Sequence, residues 1–418
     1  MSKLHRVRLK KLSTLLGPSP SALVLSSNPR AHRSHDQSYV YRANSNLFYL
    51  TGAVDEGQVL LITNKEARPT LFAPPPDKMR TVWEGVSPNP KLAAERIGAN
   101  LVLTKNPVLE ILPKLRGTRT LYFQNVPGSL SRLVADAVLD EEGHLFSNLP
   151  QTLVQLDTLM QELRLYKDPS EIKAIEAAAV VTNKALQAVM PLVRPGIKEW
   201  QIARTLEHNF NMEGGRQAFN TIVASGPGAA TLHYDKCNRT LRSGELLLID
   251  SGAEVNMYAA DITRTVGVGE VTDPVLKEIH QIVLDAQLGA IQKVKHGVLI
   301  AKVYDAAAEV MAYGLKDLGI LKGTVSKILK TKSYRPYFPH GIGHSLGIDV
   351  HDIGELRGNS AAMLKDGMVF TIEPGLYFSK KTGNIPACGV RIEDDILVTK
   401  TGRKNLSEGL PKDLNPTL

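Results

Sequence analysis

The chain is 418 residues long, 43% hydrophobic and 22% charged, with two cysteines and a formal net charge of +8. At about 100–200 residues per domain that length makes two or three domains with sizeable cores, and no stretch approaches the roughly 20 uninterrupted apolar residues of a membrane span. Integral membrane and disordered classes are excluded, and Cys237 and Cys388 are too few for a disulfide framework, so a cytoplasmic protein without a membrane partner is expected.

The positive charge is concentrated at the start. Residues 1–35 hold seven Lys/Arg (Lys3, Arg6, Arg8, Lys10, Lys11, Arg30, Arg33) and no acid, which leaves 43 basic against 42 acidic residues elsewhere. A nearly neutral body supplies no phosphate-binding surface, so no nucleic-acid partner is expected. The acid-poor start has the composition of a transit peptide. Leu4, Val7, Leu9 and Leu12, followed by the run SALVLSS, equally read as a first helix and strand.

Up to about residue 150 short apolar runs (QVLLIT, PTLFAP, ANLVLT, RTLYFQ) alternate with Pro/Gly/Asn punctuation and helical stretches, the pattern of an α/β domain. Residues 152–166 (TLVQLDTLMQELRLY) read as an amphipathic helix, which makes 151–167 a linker between domains at 1–150 and 168–418. At Asp168-Pro169-Ser170-Glu171 an N-cap, a first-turn Pro and an acid at the third position predict a long helix. Ile172, Ile175, Ala179 and Leu186 fall near one face of it, and Pro191 with Pro195-Gly196 stops it. A second Asp-Pro start at Asp273-Pro274 and a matching Gly297 predict the same again. Each long helix is followed by another (Ile197 to Met212, Ile300 to Leu315) and then by strand-rich sequence. The last 250 residues therefore read as two copies of a helix–helix–sheet unit with a site between them.

Four acids and several histidines in this region point to chemistry. ELLLIDSGAEVNMYAADITRTVGVG is two apolar strands about a Val255-Asn256 turn, with Asp250 and Asp261 almost symmetric around it. Cross-strand neighbours lie ~4.5–5.5 Å apart, and two buried carboxylates that close repel unless a cation lies between them. Glu373 ends the strand MVFTIE and Glu393 lies in GVRIEDDILVT, where Arg391 is a candidate partner on the same strand face. His340, His344 and His351 fall in the Gly-rich YFPHGIGHSLGIDVHDIG, which excludes a helical zinc pair, and His233 in TLHYDKCN is a fourth candidate. One His with four carboxylates is a hard donor set suited to Mn²⁺, with Zn²⁺ or Co²⁺ as alternatives. Two ions ~3.5–4 Å apart, bridged by carboxylates and a hydroxide, account for five side chains in a hydrolytic centre, and the spare histidines would stabilise an oxyanion or orient substrate.

LLIDSGAEVNMYAADITRT, HGIGHSLGIDVHD, FTIEPGLYF and GVRIEDD together resemble the pita-bread metallopeptidases of the aminopeptidase P and prolidase branch. RSHDQSYVYRANSNLFYLTG resembles the creatinase-type N-terminal domain of that branch, a likeness that begins near residue 5 and leaves little room for a transit peptide. The resemblance implies an α/β (α+β) chain with pseudo-twofold halves in its C-terminal domain. It implies two divalent ions on Asp250, Asp261, His344, Glu373 and Glu393, with Glu373 also the acid/base. It places His233, His340, His351 and Arg391 around the substrate and makes Phe219 and Tyr377 pocket aromatics. It gives Asp36 and Trp83 the closing of a neighbouring subunit's pocket, hence a homo-oligomer, dimer or tetramer. The implied activity is release of a residue ahead of proline from peptides. A dipeptidase is the alternative, with Arg391 holding the substrate carboxylate, and a non-catalytic binding module of the same fold is a remoter one.

Overall fold

The computed structural model describes residues 2–85, 89–139, 148–354, 356 and 361–415, and the chain divides into two compact units, 1–163 and 164–418. The first unit is built on a six-stranded mixed sheet whose strands run in spatial order 100–103, 70–73, 59–63, 21–26, 120–123 and 152–155. Its central strand, Ser21–Ser26, is buried throughout, antiparallel to Val59–Thr63 and parallel to Thr120–Phe123. A strand covered on both faces reads as a continuous apolar run, which is why SALVLS carries so little alternation. Ser2–Leu15 is a helix that buries Leu9 and Leu12.

One expectation fails here. Residues 152–166 are not one helix: Thr152–Gln155 is an edge strand parallel to Thr120–Phe123, and only Asp157–Arg164 is helical. Thr and Val are good strand formers, and an open sheet edge offers backbone partners that an isolated helical turn lacks.

The second unit contains the repeat. Pro169–Val189 packs on Glu199–Met212, and Pro274–Lys293 packs on Ile300–Asp317. The first pair lies in a core with the sheet 222–225, 246–251 and 262–267, the second with the sheet 369–372, 394–398 and 403–405. The repeat extends to the joints between helices. Gly196 N–H donates to Leu241 O, whose own N–H returns to Ile197 O, and Gly297 and Leu364 make the same exchange with Val298. Both glycines have left-handed φ, +90° and +83°, a conformation in which a side chain is strained.

Asp168 accepts from the Ser170 and Glu171 amides while Glu171 returns a bond to the Asp168 amide, and Pro169 sits where no donor is missed. Asp168→Ala removes this cap. It is expected to cost about 1 kcal/mol, read as a lower urea midpoint at unchanged m-value; an unchanged midpoint would contradict the role given to the cap.

Candidate metal centre

The hairpin that carries the two aspartates is shifted by one residue from the sequence reading. Its two-residue loop is Asn256-Met257, both at positive φ, between Val255 and Tyr258. This matches the mirror-image turn that suits the twist of paired strands. Asp250 consequently pairs with Thr263 and Ser251 with Ile262, so Asp261 lies diagonal to Asp250 on the same face, two residues from Thr263. Gly252 makes the close approach possible: a Cβ there would fall 1.8 Å from Ala260 O and 3.0 Å from the Phe219 ring.

His344 and Glu373 come from the other half of the repeat. The loop before Val369–Ile372 lies along that strand as if it were a further one: Thr371 N–H donates to His344 O, Glu373 N–H to Ile342 O and Leu346 N–H to Val369 O. Gly343 permits this, since a Cβ would meet Thr371 O at 1.8 Å. As a result His344 Nε2 stands 3.4 Å from Asp261 Oδ2 and 3.6 Å from Glu373 Oε1. Asp261, His344 and Glu393 each offer a ligand atom within 4.8 Å of the other two.

Around this set the positive charge is sparse. Arg391 donates to Asp250 Oδ2 at 2.5 Å and to Tyr377 Oη at 2.9 Å, not to Glu393 as its strand position suggested. Glu393 accepts instead from Thr263 Oγ1. Because Arg391 can only donate, the Tyr377 hydroxyl is left to donate to His340 Nε2 at 2.9 Å, and His340 Nδ1–H faces Gly341 O. Burial pushes the Asp261 carboxyl well above the usual carboxylate range, and the charges of Glu393, Asp250, Asp395 and Glu373 push it further. Burial, Glu373 and Asp250 do the same to Glu393, against the pull of Arg391 and Thr263. Burial also acts to raise Glu373, but His340, His344, Arg391 and His351 outweigh it and hold it below its ordinary value. Burial pushes Tyr377 up to about 12. Burial, helped by Arg391, lowers His340 and favours its neutral imidazole, although Glu373 pulls the other way.

Asp250 Oδ1 and Asp261 Oδ1 are buried without a hydrogen-bond partner. Orphaned oxygens on mutually repelling acids are costly unless a cation completes them, so the residues present fit divalent metal.

The other expected site residues divide. Phe219 touches the hairpin at Gly252, and Tyr377 is buried within the Arg391–His340 chain. The His351 ring lies 4.3 Å from that of His344, edge to face. His233 is exposed, and among the described residues no hydrogen bond or ion pair joins it to the carboxylates. Asp36 and Trp83 belong to the first unit and are exposed, Trp83 at 81%.

A family model described as metallopeptidase family M24 matches residues 173–400, and one described as aminopeptidase P, N-terminal domain, matches residues 5–122. The chain belongs to metallopeptidase family M24. It is 35% identical over 402 residues to the Xaa-Pro aminopeptidase of Haemophilus influenzae, covering 94% of this chain and 91% of that one. Proline aminopeptidase P II from Yersinia pestis superposes with a TM-score of 0.91 at 32% identity, over 99% of this chain and 97% of that chain. Zn-substituted aminopeptidase P of Escherichia coli in complex with product gives 0.91 at 31% identity, over 99% and 96%. The aminopeptidase P-type fold expected from the motifs is the fold found.

Two participants escaped the sequence reading. Thr263, two residues from Asp261 and so on its face of the strand, binds both Glu393 and the Arg391 Nε. Asp395 accepts from the Asp261 amide behind the cluster. The period of two along DITRT signals the first; only tertiary contact reveals the second.

If a cation is what these acids lack, divalent metal stabilises the wild-type chain and does far less for Asp261→Asn. At 100 times the dissociation constant the gain is about 2.7 kcal/mol, seen as a rise in Tm on adding Mn²⁺ to metal-free protein. Equal rises in the two proteins would remove Asp261 from the site.

Proposed function

We propose that this chain is an Xaa-Pro aminopeptidase: a metallopeptidase that hydrolyses the bond between the N-terminal residue of a peptide and a proline at the second position. The observation that carries the reading is the convergence of Asp250, Asp261, His344, Glu373 and Glu393 from both halves of the repeat onto one buried spot. It is supported by relatives of that name aligned across both units, which favours it over a dipeptidase. A binding module would not need the full ligand set.

In this reading Asp250, Asp261, His344, Glu373 and Glu393 would hold the two ions. Hard oxygen donors favour Mn²⁺. Bound there, the ions would lower the pKa of a water so that it can attack at neutral pH and would polarise the scissile carbonyl. Glu373, held ionised by the surrounding histidines and Arg391, takes the proton from the attacking water and delivers it to the proline nitrogen, which cannot leave as an anion. Arg391 orients the Asp250 carboxylate and, through Tyr377, the His340 ring. His340, His351 and His233 face the peptide, with Phe219 and Tyr377 as pocket walls.

The first unit would serve a second copy. Trp83, Met79 and Val82 on the helix Lys78–Glu84 are 81%, 67% and 79% exposed, and exposed apolar groups of this kind mark interaction surfaces. With Asp36 they would close a neighbouring subunit's pocket in a dimer or tetramer. The buried free cysteines fit a cytoplasmic setting, and no helix among the described residues is long and apolar enough to cross a membrane.

Metal-loaded protein is expected to release alanine from Ala-Pro-Ala at least as fast as from Ala-Pro, to leave Ala-Ala-Ala uncut, and to sediment as an oligomer that Trp83→Ala weakens. A monomer that cleaves only Ala-Pro would favour the dipeptidase reading.

A further inference from the structure

The segment 339–354 must hold three imidazoles, those of His340, His344 and His351, in place although it contains no helix and little strand. Its first part, Ile342 to Leu346, is pinned by backbone bonds to Val369–Glu373, and this is what fixes the metal-side histidine, His344. His351 lies beyond that ladder. The residue that follows it, Asp352, is tied in another way: its amide donates to Ser345 O at 2.9 Å, and its carboxylate lies between two cations. Arg164 Nη2 bonds Asp352 Oδ1 and reaches Asp349 Oδ2 at 2.8 Å, while Lys167 Nζ is 3.1 Å from Asp352 Oδ2. The side chains of Arg164, Lys167 and Asp352 are 3%, 1% and 1% exposed. Gly347 leaves the space for them, since a Cβ there would fall 2.2 Å from Asp352 Oδ2 and 3.0 Å from Lys167 Cε.

Stability is a poor reason for such a cluster. Desolvating ions costs several kcal/mol each, and apolar groups of equal volume often do as well or better. What charges do better than apolar groups is fix one geometry. Two cations on one carboxylate leave the Asp352 backbone little freedom, and His351 is one residue away with its ring against that of His344.

We propose that Asp352, clamped by Arg164 and Lys167, is a positioning residue that sets the His351 imidazole for the reaction. The clamp acts on the substrate side of the centre and leaves the metal ligands to the sheet. This rests on the reading above in which His351 faces the peptide, and the test separates the two.

The experiment compares kcat, KM and bound metal for Asp352→Asn, His351→Ala and the double variant, each loaded with Mn²⁺ and assayed on Ala-Pro-Ala. Displacing a catalytic group by about 1 Å costs on the order of 100-fold. Asp352→Asn is accordingly expected to lower kcat about 10- to 100-fold with metal content and KM near wild type, and to cost nothing further in the His351→Ala background. The same fold-loss in both backgrounds, loss of metal, or wild-type kcat would overturn the inference while leaving the role of His351 intact. A fully active His351→Ala would overturn that role and the inference with it. If Asp352→Asn does not fold, Lys167→Met, which keeps the Arg164–Asp352 pair, carries the same comparison with the same outcomes.

Discussion

The second unit is organised around a charge imbalance. Asp250, Asp261, Glu373 and Glu393 converge in a largely water-excluded place where, among the described residues, Arg391 is the guanidinium that reaches one of these carboxylates. Acids so placed raise one another's proton affinity, and Asp261 and Glu393 respond in that way. A fold that only needed to be stable would not gather them. The imbalance makes sense when divalent cations are the missing partners, and the rest of the unit serves to hold the acids together in spite of their repulsion.

That restraint comes from joining the two halves of the repeat behind the site. Arg264, buried on the strand Ile262–Gly267, donates to Glu393 O at 2.7 Å and to Asp394 Oδ1 at 2.9 Å. Asp394 also accepts from Gln287, Asn405 and Ser407 and pairs with Lys412. A carboxylate so surrounded stays charged: burial acts to raise it, but Arg264, Lys412 and Gln287 hold it below its ordinary value. Two acids adjacent in the sequence thus have opposite characters. Asp394 is satisfied by the protein and locks the halves, whereas Glu393 is left for an ion. Replacing Arg264 would leave Asp394 buried with less compensation, the situation in which broken buried pairs are most damaging.

Much of this was legible in the sequence. The two Asp-Pro helix starts, the glycines at their ends and the helix pairs follow from local chemistry, since caps and left-handed turns depend on a few neighbouring residues. The clustering of these acids was legible because carboxylates flanked by LLLI, ITRTV and VFTI are carried into the interior, where a charge is costly without a partner. What failed depended on partners far along the chain. TLVQ became a strand because Thr120–Phe123 offered an edge. The Asp pair moved from opposite to diagonal because the turn took Asn256-Met257 and not Val255-Asn256, a shift of one residue that local preference does not decide. Arg391 turned to Asp250, 141 positions away, in preference to Glu393 two residues on. Asp352 was visible only as part of a His-containing motif, because its partners Arg164 and Lys167 lie nearly 190 positions earlier.

The central claim is that the converging carboxylates and His344 form a two-ion hydrolytic centre. Titrating metal-free protein with Mn²⁺ while recording bound metal by elemental analysis and hydrolysis of Ala-Pro-Ala tests it most directly. The account predicts that activity rises with metal occupancy and reaches its plateau at two ions per chain. Full activity with no stoichiometric metal bound would contradict it.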